Sequence, residues 1–198
     1  KRVHGVEGSD AAHKACAELS ETPRFITVDA DNIVNPEFFD LEINLDVEDI
    51  PDGKQISFSG TNGVNSLVYG NGGLKWWTKE FVMRMKTHEN SDKKDDPKSQ
   101  IEFCYESEYY QMNESYSTFW NNGSPLQAFR AGFREGVKMS LSQGHRVTKY
   151  ELKEELFWQN LQRLLIWMSV GKDVPNGEWS MYGARLGCYM TTCTDWDY

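Results

Sequence analysis

A short apolar run that stops at two acids constrains this chain more than any other feature in it. Residues 25–28 read Phe-Ile-Thr-Val, continuous, apolar and rich in β-branched side chains. Such a run is expected to form a strand buried on both faces of a sheet. Asp29-Ala30-Asp31 follows at once. Upstream, residues 11–19 repeat apolar positions at helical spacing, Ala12, Ala15, Cys16 and Leu19, with Ser9 or Asp10 as the expected N-cap. Residues 1–6 are expected to be a short strand that Gly5, Gly8 and Ser9 break. Strand, helix and strand make a βαβ unit, which implies a parallel sheet with a right-handed crossover. Ligands of open α/β sheets bind beyond the carboxyl ends of strands, and Asp29 and Asp31 stand at such an end.

Farther along, residues 38–46 and 55–59 are expected strands, and residues 60–73 are rich in glycine. Residues 76–85 are aromatic and then helix-like. Residues 87–99 read as a polar surface loop, and residues 101–120, rich in Tyr, as strands. Ser124 and Pro125 open a helix that Gly144 follows, with Leu126, Phe129, Phe133, Val137 and Leu141 as its apolar stripe. Thr148-Lys149-Tyr150-Glu151 is a capping box for a helix over about residues 151–169, which points Leu156, Phe157, Leu161, Leu164, Leu165 and Met168 at the core. A short helix is expected after Trp179. No repeat and no linker interrupts the 198 residues, so one domain over 1–198 is expected.

Two carboxylates one residue apart can share a hard cation, Mn²⁺ or Mg²⁺, whose remaining oxygens come from water and a substrate diphosphate. Asp29 and Asp31 are therefore the candidate metal ligands; a solvated acidic turn is the plain alternative. Arg130 and Arg134 lie one turn apart. Helical geometry puts Arg130 within the apolar stripe and Arg134 at its border, where each would meet a phosphate or an internal carboxylate. Glu135 projects away from that stripe, toward solvent. The loop Tyr69, Gly70, Asn71, Gly72 and Gly73 is either a tight turn or a backbone platform under a sugar. His13 and Lys14 stand near the start of the first helix; a half-buried structural role is the default for His13.

The net charge of −9 argues against a binder of nucleic acid driven by overall charge. Basic residues cluster between positions 75 and 98, but Glu80, Glu89, Asp92, Asp95 and Asp96 nearly cancel them. Cys16, Cys104, Cys188 and Cys193 form no C-x-x-C pair, which suggests reduced thiols and a cytoplasmic setting. No apolar run is long enough to span a bilayer.

The segments HGVEGSDAAHKACAE, NSLVYGNGGLKWW and NGSPLQAFRAGFREGVKMSL, with the strand ending in Asp29-Ala30-Asp31, resemble GT-A-type glycosyltransferases, in particular a group from bacteriophages. The resemblance implies an α/β, GT-A-like (Rossmann-like) domain. It would have a mostly parallel central sheet flanked by helices and a smaller mixed or antiparallel part. The family's first strand would be missing, since the chain starts at Lys1 with what should be the second. It also implies a metal-dependent transfer of a hexosyl or pentosyl group from a nucleoside diphosphate donor, UDP first among them, to a hydroxyl acceptor. Hydroxymethylated pyrimidines of viral DNA, in a host cytoplasm, are the acceptor it suggests. Asp31 would be the principal metal ligand and Asp29 a metal or ribose contact. His13, Lys14, Arg130 and Arg134 would meet the donor, and residues 69–73 would line the sugar. Glu135 and Asp10 are the candidate bases. The rival expectations are a nucleotidyl or phosphoryl transferase on the same two aspartates, and a non-catalytic binding module.

Overall fold

The computed structural model describes residues 1–44, 54–70, 73–92 and 109–196. It is a mixed α/β protein that divides into two compact units. The first is Lys1–Thr61 with Val68–Phe119, and the second is Asn62–Leu67 with Trp120–Tyr198.

The first unit holds helix α1 (Ser9–Leu19), strands β1 (Arg24–Val28), β2 (Asn32–Val34), β3 (Gln55–Asn62), β4 (Val68–Tyr69) and β5 (Leu74–Thr78), the short helix α2 (Lys79–Arg84), and strand β6 (Tyr109–Phe119). The sheet runs β1-β5-β3-β6-β2, with β4 beside β3. The expected mostly parallel sheet is corrected here. The β1/β5, β3/β5, β3/β4 and β2/β6 ladders are all antiparallel. Between β3 and β6, Ser59 Oγ donates to the Met112 carbonyl and Thr61 Oγ1 lies 2.8 Å from Ser115 Oγ. These contacts advance in step along both strands, as in a parallel pair, so the sheet is mixed.

The opening βαβ unit is likewise corrected, because residues 1–8 form no strand. β1 is an edge strand with Ile26 48% exposed, not a strand buried on both faces. An edge strand of an antiparallel sheet can keep one face wet, so its apolar run marks the strand without fixing its depth. Residues 36–40 form a 3₁₀ turn and residues 41–44 no strand; the rest of the strand expected over 38–46 lies outside the described residues. His88–Asn90 is a 3₁₀ turn within the expected loop.

One core lies on each face of this sheet. Trp77, Phe81, Val82, Met85 and Ala17 pack together with Phe25 and Tyr109. Phe38, Ile56, Phe58 and Leu74 pack with Trp76 and Tyr116 on the other side. The alternation of Leu74, Trp76 and Trp77 between these clusters is the period-two signature of a strand with two covered faces.

The second unit is helical. It contains α3 (Pro125–Met139), a hairpin of β7 (Leu141–Ser142) and β8 (His145–Arg146), then α4 (Leu152–Glu155), α5 (Trp158–Ser169) and α6 (Gly177–Cys193). Ser124 Oγ accepts from Gln127 N at 3.1 Å, the expected cap. Thr148 donates through N and Oγ1 to Glu151, but the helix expected over 151–169 breaks at Leu156. Phe157 and Leu165, expected inside, are exposed. The short terminal helix is instead the longest among the described residues. Gln143 and Gly144, both at positive φ, turn a hairpin that begins at Leu141, inside the expected helix.

α3 and α6 meet backbone to backbone. A Cβ on Gly132 would lie 1.9 Å from the Ser180 carbonyl oxygen, and one on Gly183 would lie 2.2 Å from that of Phe129. The buried face of α3 is therefore its small face, Ala128, Gly132 and Gly136, together with Glu135 and Val137. Leu126 of the expected apolar stripe is 66% exposed. This rotation corrects two site expectations: Glu135 is buried (2% exposed), while Arg130 and Arg134 face solvent.

Gly132→Ala should lower the unfolding free energy by about 3 kcal/mol or more, because only backbone movement can relieve the clash. Gly123→Ala, whose new methyl meets only the tip of Gln127, should change it by less than about 0.5 kcal/mol. Urea denaturation of both variants checks the contrast.

Candidate functional site

β1 ends at Val28 and the chain turns through Asp29-Ala30-Asp31 into β2. Asp29 N donates to the Gly73 carbonyl at 2.9 Å, and Asn32 N donates to the Asp29 carbonyl at 3.0 Å. The turn is thus fixed from both sides. Gly73 lies directly beneath the Asp29 side chain, since a Cβ there would stand 2.3 Å from the Asp29 Cβ. One glycine of the expected 69–73 loop therefore sets where Asp29 can be. Tyr69 is buried, Gly70 is exposed against Gln111, and Asn71 and Gly72 lie outside the described residues.

Antiparallel pairing places Thr27 opposite Lys75 and Phe25 opposite Trp77. The Trp77 indole donates to Thr27 Oγ1 at 2.7 Å. His13 of α1 meets Trp77 edge-on with ring centroids 5.9 Å apart. Between α1 and this side of β1 runs a cleft of about 940 Å³. Its walls include His13, Cys16, Phe25 and Thr27, and Asp29 and Asn32 stand at the D-x-D turn.

Burial sets the direction in which three groups here titrate, and Asp29 acts on each of them in turn. Burial lowers the pKa of His13, its hydrogen bond to Ser9 raises it, Lys75 lowers it, and Asp29 and Asp10 raise it; the net is below the ordinary histidine value. His13 Nδ1 lies 2.8 Å from the Ser9 carbonyl, which can only accept. Nδ1 therefore carries the proton in this contact. Burial and then Asp29 push the Cys16 thiol up. Burial pushes the half-buried Lys75 ammonium down, and Asp29 counters it. One exposed carboxylate thus acts on His13 and Cys16, which line the cleft, and on Lys75.

Asp10 and Lys14 have a different task. Asp10 is buried and accepts from Lys14 Nζ at 2.5 Å and from Thr87 N at 3.3 Å, while its own N–H donates to Glu89 at 2.7 Å. Burial raises the Asp10 pKa, but these donors, Lys14 foremost, bring it below the usual carboxylate value. Asp10 thus clasps α1 to Thr87 and Glu89.

Asp31 is exposed, and its Oδ1 accepts from Asn32 Nδ2 at 2.9 Å. Among the described residues no three His, Cys, Asp or Glu side chains gather as a metal cluster. Asp29 and Asp31 are the residues that could hold a cation of the Mg²⁺ type, which takes one or two carboxylates and completes its shell with water and substrate phosphate. Arg130, Arg134 and Glu135 belong to the second unit, and none lines this cleft. Arg134 Nη2 lies 3.3 Å from Glu135 Oε1. The sequence reading missed Thr27, Lys75 and Cys16. The alternation in Leu-Lys-Trp-Trp-Thr was the available signal for Lys75, since it puts Lys75 and Trp77 on one face.

Asp29→Asn should lower the His13 pKa further and make the Cys16 thiol easier to ionise; NMR titration and the pH dependence of thiol alkylation read the two shifts. The depressed His13 pKa also sets a sign. The unfolded chain takes up this proton first, so stability should fall as pH drops below about 6.5. His13→Gln should flatten that fall in pH-dependent urea denaturation.

Comparison with protein-family models, with curated proteins and with solved structures finds no match to this chain.

Proposed function

We propose that the cleft beside Asp29 takes a nucleoside diphosphate-sugar and that the chain is a GT-A-like, divalent-metal-dependent glycosyltransferase. The observation that carries this reading is Asp29 itself. It is an exposed carboxylate, held over Gly73, that lines a cleft of about 940 Å³ together with His13 and Cys16.

Asp29 and Asp31 would hold Mn²⁺ or Mg²⁺. When bound, the ion offsets the charge that develops on a departing nucleoside diphosphate. Lys75 stands across from Thr27, where Asp29 favours its ammonium form against burial. His13 lines the same cleft, edge-on to Trp77. Phe25 adds an apolar wall on which a planar base can rest. The side chains of Asp10 and Lys14 are paired with each other, so we assign neither of them a step in the transfer. Hydroxymethylpyrimidine DNA is the acceptor we would test first.

Supplied with UDP-sugars and Mn²⁺, the chain should release UDP, and Asp31→Ala should abolish the release. A rise on adding DNA that contains 5-hydroxymethylcytosine would support that acceptor. Release of pyrophosphate or inorganic phosphate in place of UDP would favour a nucleotidyl or phosphoryl transferase on the same aspartates. No release and no nucleotide binding would overturn the catalytic reading.

A further inference from the structure

Charge is unevenly shared between the two units. Residues 62–67 and 120–198 carry nine Lys and Arg against eight Asp and Glu, while the rest of the chain carries twelve against twenty-two. The acidity that argues against polyanion binding therefore resides in the first unit. Within the second, the cations are ordered. Arg130, Arg134 and Lys138 follow one another at four-residue spacing along α3. That spacing makes a ridge with about 6 Å of rise between successive cations. Arg130 is exposed and has no ion pair among the described residues; the Arg134 side chain is 74% exposed. The one acid on α3, Glu135, is buried with its Oε1 3.3 Å from Arg134 Nη2, so the exposed charges of this helix are cationic.

An aromatic row lies beside that ridge. Phe129 and Phe133 occupy the adjacent helical row, and Arg130 and Phe133 are neighbours at i, i+3. Phe129 stacks on Phe133 with centroids 5.9 Å apart and meets Tyr182 of α6 at 5.8 Å. Trp179 extends the row at 6.4 Å from Tyr182. Tyr182 is 54% exposed and Trp179 42% exposed. The backbone contact of α3 with α6 at Gly132 and Gly183 brings these rings together.

We propose that this face of the second unit binds single-stranded nucleic acid, with phosphates on the Arg130–Arg134–Lys138 ridge and unstacked bases on the row of Phe129, Tyr182 and Trp179. A cation ridge alone would suit any polyanion. Exposed rings beside it select a partner whose bases are free to stack, which a duplex withholds. The inference goes beyond sugar transfer and does not need it, because binding is read with no donor present.

The test is fluorescence anisotropy of a labelled oligothymidine with the full chain over a salt series. Arg130→Gln/Arg134→Gln should weaken binding at least tenfold and reduce the salt slope by about 1.4, since each single-strand phosphate that an arginine neutralises adds roughly 0.7 to that slope. Tyr182→Ala should weaken binding with the salt slope unchanged. Thermal melting by circular dichroism checks that each variant is folded, which the exposure of these side chains favours. Three results would overturn the proposal: no binding by the native chain at low salt, unchanged binding by the double arginine variant, or equally tight binding of polyglutamate or phosphatidylserine vesicles. Failure here would leave UDP release in the preceding assay untouched, and the reverse also holds.

Discussion

The candidate site depends on the antiparallel register of β1 against β5. That ladder places Thr27 opposite Lys75 and brings Trp77 under Thr27. It ends by seating Asp29 over Gly73. A one-residue slip would turn every side chain of β1 to the other face, taking Thr27 and Phe25 out of the cleft. The indole hydrogen bond and the lack of a Cβ at position 73 both oppose such a slip. Trp77 also receives His13 and packs with Ala17 of α1. One strand pair thus positions the carboxylate, the opposing lysine and the helix that forms the far wall.

The second unit rests on a different kind of packing. Its two long helices approach through glycine, alanine and serine, so close that their large side chains are displaced to the flanks. Close backbone contact gains dispersion along the whole interface. It also leaves Phe129, Phe133 and Tyr182 beside the seam, where they contact one another and remain partly open to solvent. A conventional leucine seam would have buried the apolar stripe and turned other residues outward.

This contrast explains what could be read from the residues in order. The strand before Asp29, the Ser124 cap, the Thr148–Glu151 contact and the α/β class all follow from local chemistry, and local chemistry is what a sequence records. Strand direction does not follow from it. An apolar run of four fits a buried parallel strand and a wet antiparallel edge equally well, and β1 is the second. Hydrophobic periodicity also failed on α3, because it ranks Leu and Phe above Gly. The four-residue spacings of Gly132 with Gly136 and Gly183 with Gly187 were the better guide to the buried face. They place Glu135 inside and both arginines outside. Of the candidate site, what was legible is structural: a strand that ends just before Asp29-Ala30-Asp31, and a half-buried His13. Lys75, Thr27 and Cys16 enter only through the pairing of distant segments.

If a divalent cation and a nucleoside diphosphate meet at Asp29, paramagnetic broadening of backbone amide resonances shows it most directly. Mn²⁺ at substoichiometric level, added with UDP, should broaden the amides of residues 27–32 and Gly73, and should do so far less when UDP is left out. Broadening centred elsewhere on the chain, or none in the presence of both, would contradict a metal-diphosphate site at this turn.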